Sequence, residues 1–565
     1  MNKLFTTLLI LLTGGSLFSA TTDVGKPKVL VNDASINAGE TVNWTNDNVY
    51  MLDGFVYVED GATLNIQAGT VIKAIEEPSN GIDIASALVI ARGAKIYAEG
   101  TASSPIIFTT QYDSVTLKDD GVEDILDFND PSERGYWGGV VILGKATLNV
   151  ASEKVVEGLP EDEPLHRSWY GGNDDEDNSG VLRFISIRYT GITVEANKEL
   201  QGLTGGCVGS GTTIEYIESW CSDDDGFEFF GGTVNTNHLV SAFNTDDSFD
   251  FDQGFRGNHQ FWFAIQRSDL GDKLGEYDSG DVGALTAEPR GNPQIYNATY
   301  IGSGAGSSNG NDALIWKEFG GGAMYNSIFT DFAGRAAVID SGDGQTSYTR
   351  LTVDGDLNME NNIWYKDAGS TWEDLSGGKS WLETYFTGHN NENEDPMLNG
   401  ISRTNDNGLN PTLAQNSPAW TNAMKTYPEG NNFDEVNYIG AFGDNNWALG
   451  WTALDFNDVF GAGIINSIKE EKIGGTIPDK FTLSQNYPNP FNPSTIIDFT
   501  LPNSEFVNLS IYNILGQKVV TLVNGARKAG TYSLTFDASD LASGWYIYRL
   551  QTDTHVMSHK MLLIK

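Results

Sequence analysis

The sequence of 565 residues contains two copies of an acidic motif, and these copies hold its best candidates for chemistry. DDGFEFFGG begins at residue 224 and DDSFDFDQG begins at residue 246, so the copies are 22 residues apart. In both copies aromatic residues alternate with other residues, which predicts short β-strands with Phe227 and Phe249 on a buried face. Glu228 and Asp250 are then expected on the outer face.

Carboxylates that repeat at this spacing predict a cation site if the two motifs stack. Adjacent strands lie about 4.8 Å apart, and two unit charges at that separation repel by roughly 1 kcal/mol in water and about 4 kcal/mol near a protein surface. Calcium favours clustered carboxylate oxygens, so it is the expected cofactor. The predicted metal ligands in the two motifs are Asp224, Asp225, Glu228, Asp246, Asp247, Asp250 and Asp252.

Two other interpretations of the acidic motifs stay open. A carboxyl group that keeps its proton would provide the divided acid and base roles that glycosidases use. The catalytic candidates are then Asp246, Asp247, Asp250 and Arg256. In the second interpretation the side chains are solvated and the aspartates only shape corners of the chain.

A further acidic loop, NDDEDNSG, occupies residues 173–180. Its Asp175, Asp177 and Ser179 stand at alternate positions, as in the first half of an EF-hand loop. Ser186 stands where an EF-hand would have its glutamate, which excludes a complete EF-hand. Asp175 and Asp177 are therefore predicted either as a partial calcium loop or as ordinary turn residues.

Internal repeats indicate how these residues are positioned. At the 22-residue period Ile217 aligns with Leu239 and then with Phe261, and IYNATYIG at 295–302 is echoed by MYNSIFTD at 324–331. Apolar columns at a nearly fixed period are typical of a parallel β-solenoid, in which each coil buries its core against its neighbours. A β-propeller and a tandem of β-sandwiches are the competing folds.

Residues 21–463 resemble the right-handed parallel β-helix proteins of the pectate-lyase-like group. DPML at 395–398, SPAW at 417–420 and YIGAF at 438–442 are similar to the last coils of such helices. NTDDSFD, which ends at Asp250, is similar to the NTDG-type motif of polygalacturonase-like glycoside hydrolases. That resemblance implies an acid at Asp246, although the Gly-His-Gly and Arg-Ile-Lys elements of that family are absent.

The C-terminal part differs in composition and motif. From residue 476 onward there are seven Lys/Arg and six Asp/Glu, in a chain whose net charge is -42. Short alternating runs predict a small antiparallel β-sandwich. NYPNPFNPST, YNILGQKV, GWYIYRL and the terminal KMLLIK resemble the type A C-terminal sorting domain of type IX secretion cargo. The sorting-motif residues are Asn486, Pro488, Pro490, Pro493, Gly516 and Lys565.

This resemblance implies an immunoglobulin-like sandwich, the type IX secretion machinery as partner, and a sortase-like peptidase that removes the domain. The product would be extracellular or anchored on the outer-membrane surface. An apolar run at the N terminus predicts a signal peptide. The predicted organisation is a signal peptide at 1–20, a cargo domain at 21–463, a linker at 464–478 and a sorting domain at 479–565.

Composition narrows the partners. The chain has 34 Lys/Arg against 76 Asp/Glu, so a bare phosphate backbone is repelled and nucleic acid is excluded as a partner. No apolar run reaches the roughly 20 residues that span a bilayer. The six histidines have no zinc spacing and are expected at the surface or at corners. Cys207 and Cys221 are predicted either as a disulfide or as buried free thiols.

Together these features predict an all-β protein, a right-handed parallel β-helix followed by a small immunoglobulin-like sandwich, exported to the cell surface. The leading functional hypothesis is an adhesin-like protein that binds an extended polysaccharide or surface ligand, with calcium at its acidic corners. Tryptophans along the cargo domain are candidates for stacking on sugar rings, although most are expected in the core. A polysaccharide hydrolase or lyase, and a structural surface protein, are the alternatives.

Overall fold

The computed structural model of the chain describes residues 23–565 except 24, 116–125, 161–164, 196–197, 281–284, 343, 345, 429–431, 462–468, 474–477, 479, 504, 515–517, 528, 539–540, 542, 553–554 and 565. The predicted signal peptide therefore lies outside the described residues. The chain divides into two compact units, one within residues 21–463 and the other within residues 464–565.

The larger unit is a parallel β-helix whose coils each cross three walls, as the repeats predict. Strands of the first and second walls belong to one sheet of 18 strands, and strands of the third wall form a sheet of nine. The first wall contains Thr41–Trp44, Thr63–Ile66, Lys95–Glu99, Arg256–Gln260, Asn292–Tyr296, Gly322–Tyr325 and Leu357–Glu360. The second contains Lys28–Val31, Val49–Leu52, Val71–Ala74, Ile106–Thr110, Phe263–Ile265, Thr299–Ile301, Ile328–Thr330 and Ile363–Tyr365.

Three longer strands bend from the first wall into the second: Gly180–Arg188, Thr213–Trp220 and Asn235–Ala242. The third wall contains Phe55–Val58, Ala87–Ile90, Val140–Leu143, Leu203–Gly206, Phe227–Phe230, Phe249–Asp252, Gly275–Tyr277, Leu314–Trp316 and Ala337–Ile339. Two short hairpins, Lys154–Val155 with Trp169–Tyr170 and Ile192–Glu195 with Lys198–Leu200, lie in residues 144–179 and 189–202, on either side of the strand Gly180–Arg188. We call these two stretches together the insertion.

The core is a stack of side chains that point inward from all three walls. On the third wall Leu88, Val140, Leu203, Phe227 and Phe249 follow one another in register on successive coils, and all are buried in one apolar cluster. Because a residue on a strand points to the opposite side from its neighbour, every second residue faces outward. The sequence alternation therefore determines what each wall presents to its surroundings.

The corner between the first and second walls uses left-handed backbone. Phe184, Tyr216 and His238 have φ values of 50°, 57° and 55° in successive coils. Their rings stack, with centroids 4.4 Å apart for the first pair and 4.2 Å apart for the second. Further along, asparagine takes over this position at Asn297 and Asn326, with φ of 55° and 52°. Asparagine tolerates left-handed backbone because its short amide bonds locally.

One predicted register is wrong by a residue. The 22-residue period holds between Ile217 and Leu239, which are paired. Between the next two coils the period is 23, because Val240 pairs with Phe263. Phe261 therefore does not continue the column of Leu239, and it lies instead at the left-handed corner with φ of 56°.

After the last coil the chain folds back. The helices Trp372–Leu375 and Ser380–Gly388 bring Leu375, Leu382 and Phe386 onto the end of the core. Residues 390–461 are here called the returning segment, and the described part of it packs against the outer side of the second wall. Its elements are Leu398–Gly400, Asn410–Leu413, Pro418–Trp420 and Ala453–Phe456. The remaining short helical turns of this unit are Asp33–Ser35, Ser347–Thr349 and Arg350–Asp354.

The returning segment corrects the assignment of the last coils. DPML, SPAW and YIGAF all lie within it rather than in coils of the helix. Ala419 and Ile439 pack on Ile328 and Ile363 of the second wall. These motifs are apolar because they cover a wall.

The smaller unit contains two antiparallel sheets of four strands. One is formed by Lys469–Ile473, Gly530–Asp537, Ser494–Leu501 and Thr482–Leu483, and the other by Lys518–Arg527, Glu505–Asn513, Gly544–Gln551 and Val556–Leu563. Apolar residues of both sheets form one cluster. An all-β chain with a parallel β-helix and a β-rich C-terminal domain is confirmed, and the immunoglobulin-like arrangement stays a prediction.

Candidate functional site

The two acidic motifs stack as their spacing predicts. Strands Phe227–Phe230 and Phe249–Asp252 are parallel neighbours on the third wall, with Phe227 opposite Phe249 and Glu228 opposite Asp250. The rings of Phe227 and Phe249 stack in the core with centroids 5.3 Å apart. Glu228 and Asp250 consequently lie one above the other on the outer side of the wall.

The bends before these strands bring a second layer of carboxylates together. Asp247 Nα–H donates to Asp225 Oδ1 over 2.8 Å, so the aspartate of one coil caps the bend of the next. Asp247 Oδ1 in turn accepts from the main-chain N–H of Lys273 at 2.5 Å. Asp225 and Asp247 therefore have a structural role in the bends, and they remain within reach of the outer carboxylates.

A third acidic coil, which the sequence reasoning missed, extends the column. Glu276 pairs with Asp250 in the strand Gly275–Tyr277, and Asp272 lies at the preceding bend. The signal is present at residues 272–278, where DKLGEYD matches DDSFDFD at an offset of 26 residues. We refer to the outer carboxylates of these three coils, with those of their bends, as the acidic face.

The carboxylate oxygens of the acidic face form three groups that could hold a metal ion. Within each group the oxygens lie within 4.8 Å of one another. The groups are Asp224 with Asp225 and Asp246; Asp225 with Glu228 and Asp250; and Asp246 with Asp247 and Asp272. The coils thus bring together six of the seven ligands predicted from the two motifs, and they add Asp272.

Glu228 is the most unusual member of the acidic face. Its side chain is only 6% exposed, and its Oε2 is buried without a hydrogen-bond partner. Asp250 Oδ1, directly opposite, is also buried and unpartnered. A buried carboxylate oxygen that makes no hydrogen bond is strongly destabilising unless a proton or a cation satisfies it.

The pKa values of the acidic face reflect this environment. Burial, and then the charge of Asp250, raises the pKa of Glu228 well above its usual range. Burial and the charge of Asp246 raise the pKa of Asp224 to about 8, with further contributions from Glu199 and Glu157. Those last two residues come from the insertion, so its edge adds to the negative charge.

Cations are few at the acidic face. Lys317 forms an ion pair with Glu276 and lies 3.7 Å from Asp278, and Lys273 forms an ion pair with Asp272. Both lysines lie at the third acidic coil or beyond it. Among the described residues, no lysine or arginine forms an ion pair with Glu228 or Asp250.

Other predicted site residues lie elsewhere. Arg256 forms an ion pair with Asp175 at 3.4 Å and donates to Thr147 Oγ1 at 2.5 Å, so it is not aimed at the acidic face. Asp175 Oδ1 also accepts from the main-chain N–H of Thr147 at 2.9 Å. Asp177 Oδ2 accepts from the N–H of Lys145 at 3.0 Å. These contacts fit turn residues, and neither aspartate belongs to a candidate metal group of the described residues.

The possible disulfide is not formed. Cys207 and Cys221 are both free and buried. Cys207 follows a strand of the third wall and packs in the cluster under the insertion, whereas Cys221 packs under the returning segment. The two walls hold the thiols in separate clusters, which supports the buried-thiol alternative.

Asp252, the remaining predicted metal ligand of the two motifs, lies at the end of its strand opposite Phe230.

Aromatic residues contribute less to the surface than the sugar-stacking idea requires. The tryptophans at positions 137, 220, 262, 316, 364 and 451 are among the largest fully buried side chains. His259 is fully buried and His238 is half-buried, and burial lowers the pKa of each to about 3. The expectation that the histidines lie at the surface or at corners is wrong for His259, which packs against Phe255 and Trp262 in the core.

Comparison with known families identifies the larger unit. Residues 35–368 match the model of the pectate-lyase like beta helix domain. The chain belongs to this family. This match agrees with the resemblance found in the sequence. The matched residues include strands of all three walls and the whole acidic face. Residues 485–565 match the secretion system C-terminal sorting domain.

The sorting domain indicates secretion to the cell surface or the extracellular space, handled by the type IX machinery. Its Asn486 is buried, with Nδ2 donating to Thr495 Oγ1 at 2.9 Å and to the Pro488 carbonyl at 3.1 Å. Pro490 and Pro493 follow in the same loop, while Gly516 and Lys565 lie outside the described residues. Among the described helices, none is long and apolar enough to cross a bilayer.

The other comparisons add little to what the family match shows about this pectate-lyase-like β-helix protein. No curated protein matches the chain. A solved structure, the Dettilon tailspike protein (gp208), is 9% identical over 88% of this chain and 87% of that chain, with a TM-score of 0.18. A likeness that low supports no conclusion about function.

Proposed function

We propose that this pectate-lyase-like β-helix is an exported calcium-binding protein that binds an extended polysaccharide at the cell surface. The observation that carries the calcium assignment is the buried, unpartnered Oε2 of Glu228 beside Asp225 and Asp250. A hard divalent cation would supply the missing partner, because calcium takes six to eight oxygen ligands at roughly 2.3–2.6 Å.

The charge of the acidic face supports a cation over plain solvation. Two carboxylates held one strand apart repel by about 4 kcal/mol near a protein surface, and Glu228, Asp250 and Glu276 form two such pairs in succession. Exposed carboxylates would reduce this repulsion by turning into water. Glu228 cannot do so because its side chain is buried.

Calcium binding to the full chain tests the assignment. Calorimetric titration after chelator treatment should show uptake, and saturating calcium should raise the melting temperature. The double variant Glu228→Gln and Asp250→Asn should lose both effects while it folds, because amides relieve the repulsion and bind calcium weakly. Glu373→Gln, an exposed residue on the helix Trp372–Leu375, is the matched control. Equal uptake by the double variant and the control would overturn the proposal.

The polysaccharide component is supported by export and by the repeated outward columns of the walls. A linear polymer repeats its groups along its length, and the walls repeat theirs about every 4.8 Å. Retention of the full chain on a panel of immobilised neutral and acidic polysaccharides tests this component. Failure to bind any member would contradict it and leave the calcium result standing.

A polysaccharide hydrolase is the second candidate, and one observation favours it. With a pKa of about 8, Asp224 holds a proton at neutral pH and could serve as a general acid beside Asp246. Release of reducing ends from the same panel measures this activity. Loss of release in Asp224→Asn, with melting temperature unchanged, would assign the enzyme function.

A further inference from the structure

A second outward surface, on the first wall of the same coils, is lined by amides and hydroxyls. It is a groove of about 240 Å³ that crosses three successive coils. Glu215 pairs with Asn237 and Asn237 with Gln260, which gives one column. Thr213 and Asn235 begin a parallel column two residues earlier, and Asn258 continues it. We call this surface the amide groove.

Amide side chains give the amide groove a polar lining. Asn237 Oδ1 is buried without a hydrogen-bond partner. Asn235 Oδ1 is engaged, since it accepts from the N–H of Asn258 at 2.9 Å. Gln260 closes one end, where its amide exchanges two hydrogen bonds of 2.8 Å with the main chain of Asp434. Asn237 as a whole is only half-buried, so a change of its rotamer would bring the orphan oxygen to a ligand hydroxyl that satisfies it.

The returning segment supplies the side of the groove. Phe433 lines it, and the ring of Phe433 is fixed against Tyr296 with centroids 4.5 Å apart. An aromatic ring beside amides is a common combination for a ligand that has both hydroxyls and apolar C–H faces. Sugars have both.

The charge of the groove distinguishes between classes of sugar. Among its described lining residues Glu215 alone is charged, and Arg183 Nε donates to Glu215 Oε1 at 2.8 Å. No free cation of the lining is available to bind a carboxylate or sulfate group. The net charge of -42 for the whole chain further disfavours an anionic polymer.

We propose that the amide groove binds a neutral glycan that lies along the axis of the β-helix, across the coils of Glu215, Asn237 and Gln260. The inference rests on the polysaccharide component of the proposed function and assigns it a site and a ligand class. The bound chain would donate to Asn237 Oδ1, accept from the amide of Asn258, and place a sugar face against Phe433. The site is separate from the acidic face, which lies on another wall.

Calorimetric titration of the full chain tests the site, with cellohexaose, laminarihexaose and mannohexaose as neutral probes and hexagalacturonate as the acidic probe. We expect binding of at least one neutral probe. The double variant Asn237→Ala and Asn258→Ala should weaken that binding by about tenfold or more, since it removes two hydrogen-bonding groups. Asn65→Ala is the control, because Asn65 is an outward amide of the same wall that pairs with Asn43 outside the groove.

The outcomes separate the site from the function. Binding that is unchanged in the double variant would overturn the groove and keep the polysaccharide function. Preference for hexagalacturonate would overturn the neutral class, and binding of none of the probes would overturn the inference. Asn237→Leu keeps the side-chain size and removes the acceptor oxygen, so its weaker binding would support the site even if the double variant unfolds. Calcium uptake, measured in parallel, should be unchanged in every groove variant.

Discussion

The first and third walls are built by the same coils, yet they present opposite chemistry. Across the coils that contain residues 213–260, the third wall shows Glu228 and Asp250 while the first wall shows Asn235 and Asn237. Both walls have the same strand spacing and share one core. The coils therefore provide the same backbone and core for both walls, and the outward residue at each strand position determines which ligand a wall can bind.

The third wall also changes along its own length. In one outward column Tyr57, Val89 and Val141 are followed by Thr204 and then Glu228. The apolar part is buried under the insertion, together with Leu159 and Leu200. The column becomes acidic at Glu228, which is still buried, and continues at Asp250, which is half-buried.

The largest effect on stability should come from a substitution in the core that both walls share. Phe249 stacks on Phe227 and on Trp262, with centroids 5.3 Å and 4.4 Å apart. Phe249→Ala should reduce the free energy of unfolding by about 3–5 kcal/mol through loss of burial and the remaining cavity. Chemical denaturation measures this, and Thr245→Ala at the neighbouring bend is the control. A loss below about 1 kcal/mol would mean that the walls do not share a core as described.

The second prediction concerns the pH dependence of stability that the acidic face causes and the amide groove does not. Because burial raises the pKa of Asp224 and of Asp278 to about 8, the folded chain binds more protons than the unfolded chain between about pH 4 and pH 8. Without calcium, stability is then highest at acidic pH and falls as pH rises from 5 towards 8, by about 1.4 kcal/mol per pH unit for each of these two groups.

Saturating calcium should flatten this dependence, because the cation replaces the protons. The measurement is denaturation at several pH values with chelator and with calcium. Stability that rises with pH in chelator would show that the carboxylates are solvated. The amide groove is lined by none of the acidic-face residues, so glycan binding should be constant over the same interval.

A smaller effect is expected at the corner that adjoins the amide groove. Asn297 is fully buried in left-handed backbone with φ of 55°, and its Nδ2 donates to the Tyr438 carbonyl at 2.9 Å. Its Oδ1 accepts from Tyr427 Oη at 2.7 Å. Asn297→Ala should reduce the free energy of unfolding by about 2–3 kcal/mol through strain and lost hydrogen bonds.

Asn297→Gly is the matched control for this corner, because glycine accepts the backbone but not the hydrogen bonds. It should recover part of the loss. Both variants should weaken glycan binding, since they loosen the segment that holds Phe433, and should leave calcium uptake unchanged. A change in calcium uptake would show that the two walls are coupled.

The smallest effect concerns Lys317. Its ion pair with Glu276 is partly exposed, so Lys317→Met should change the free energy of unfolding by less than about 1 kcal/mol. Removing this positive charge should strengthen calcium binding severalfold, as titration would show. Lys366→Met, away from the acidic face, is the control. Unchanged calcium binding would mean that the cation does not lie near Glu276.

The sequence predicted the parts of the site that depend on local alternation. Phe227, Glu228, Phe249 and Asp250 each have one compatible orientation in a strand, so their stacking followed from the period. The third acidic coil was missed because Gly275 replaces the phenylalanine of the motif and the bend is four residues longer. The register beyond Val240 failed because Phe261, Trp262 and Phe263 are three consecutive aromatics, any of which suits an apolar column.

Features that depend on distant contacts could not be predicted in this way. His259 lies in the core because Thr236 Oγ1 contacts its Nδ1 at 2.9 Å, and that pairing exists only in the folded coils. The returning segment had apolar motifs that resembled coils, since covering a wall and forming one demand similar residues. Arg256 is engaged by Asp175, which is 81 residues away in sequence.

The returning segment fixes the number of coils that lie beneath it. Asn361, Asn326 and Asn297 of three successive coils donate to the carbonyls of Ala423, Lys425 and Tyr438. Deleting or duplicating a coil would move every later asparagine of this column away from the carbonyl that it binds in the returning segment. Length variation among such proteins should therefore accumulate in loops and insertions, while the number of coils under the returning segment stays constant.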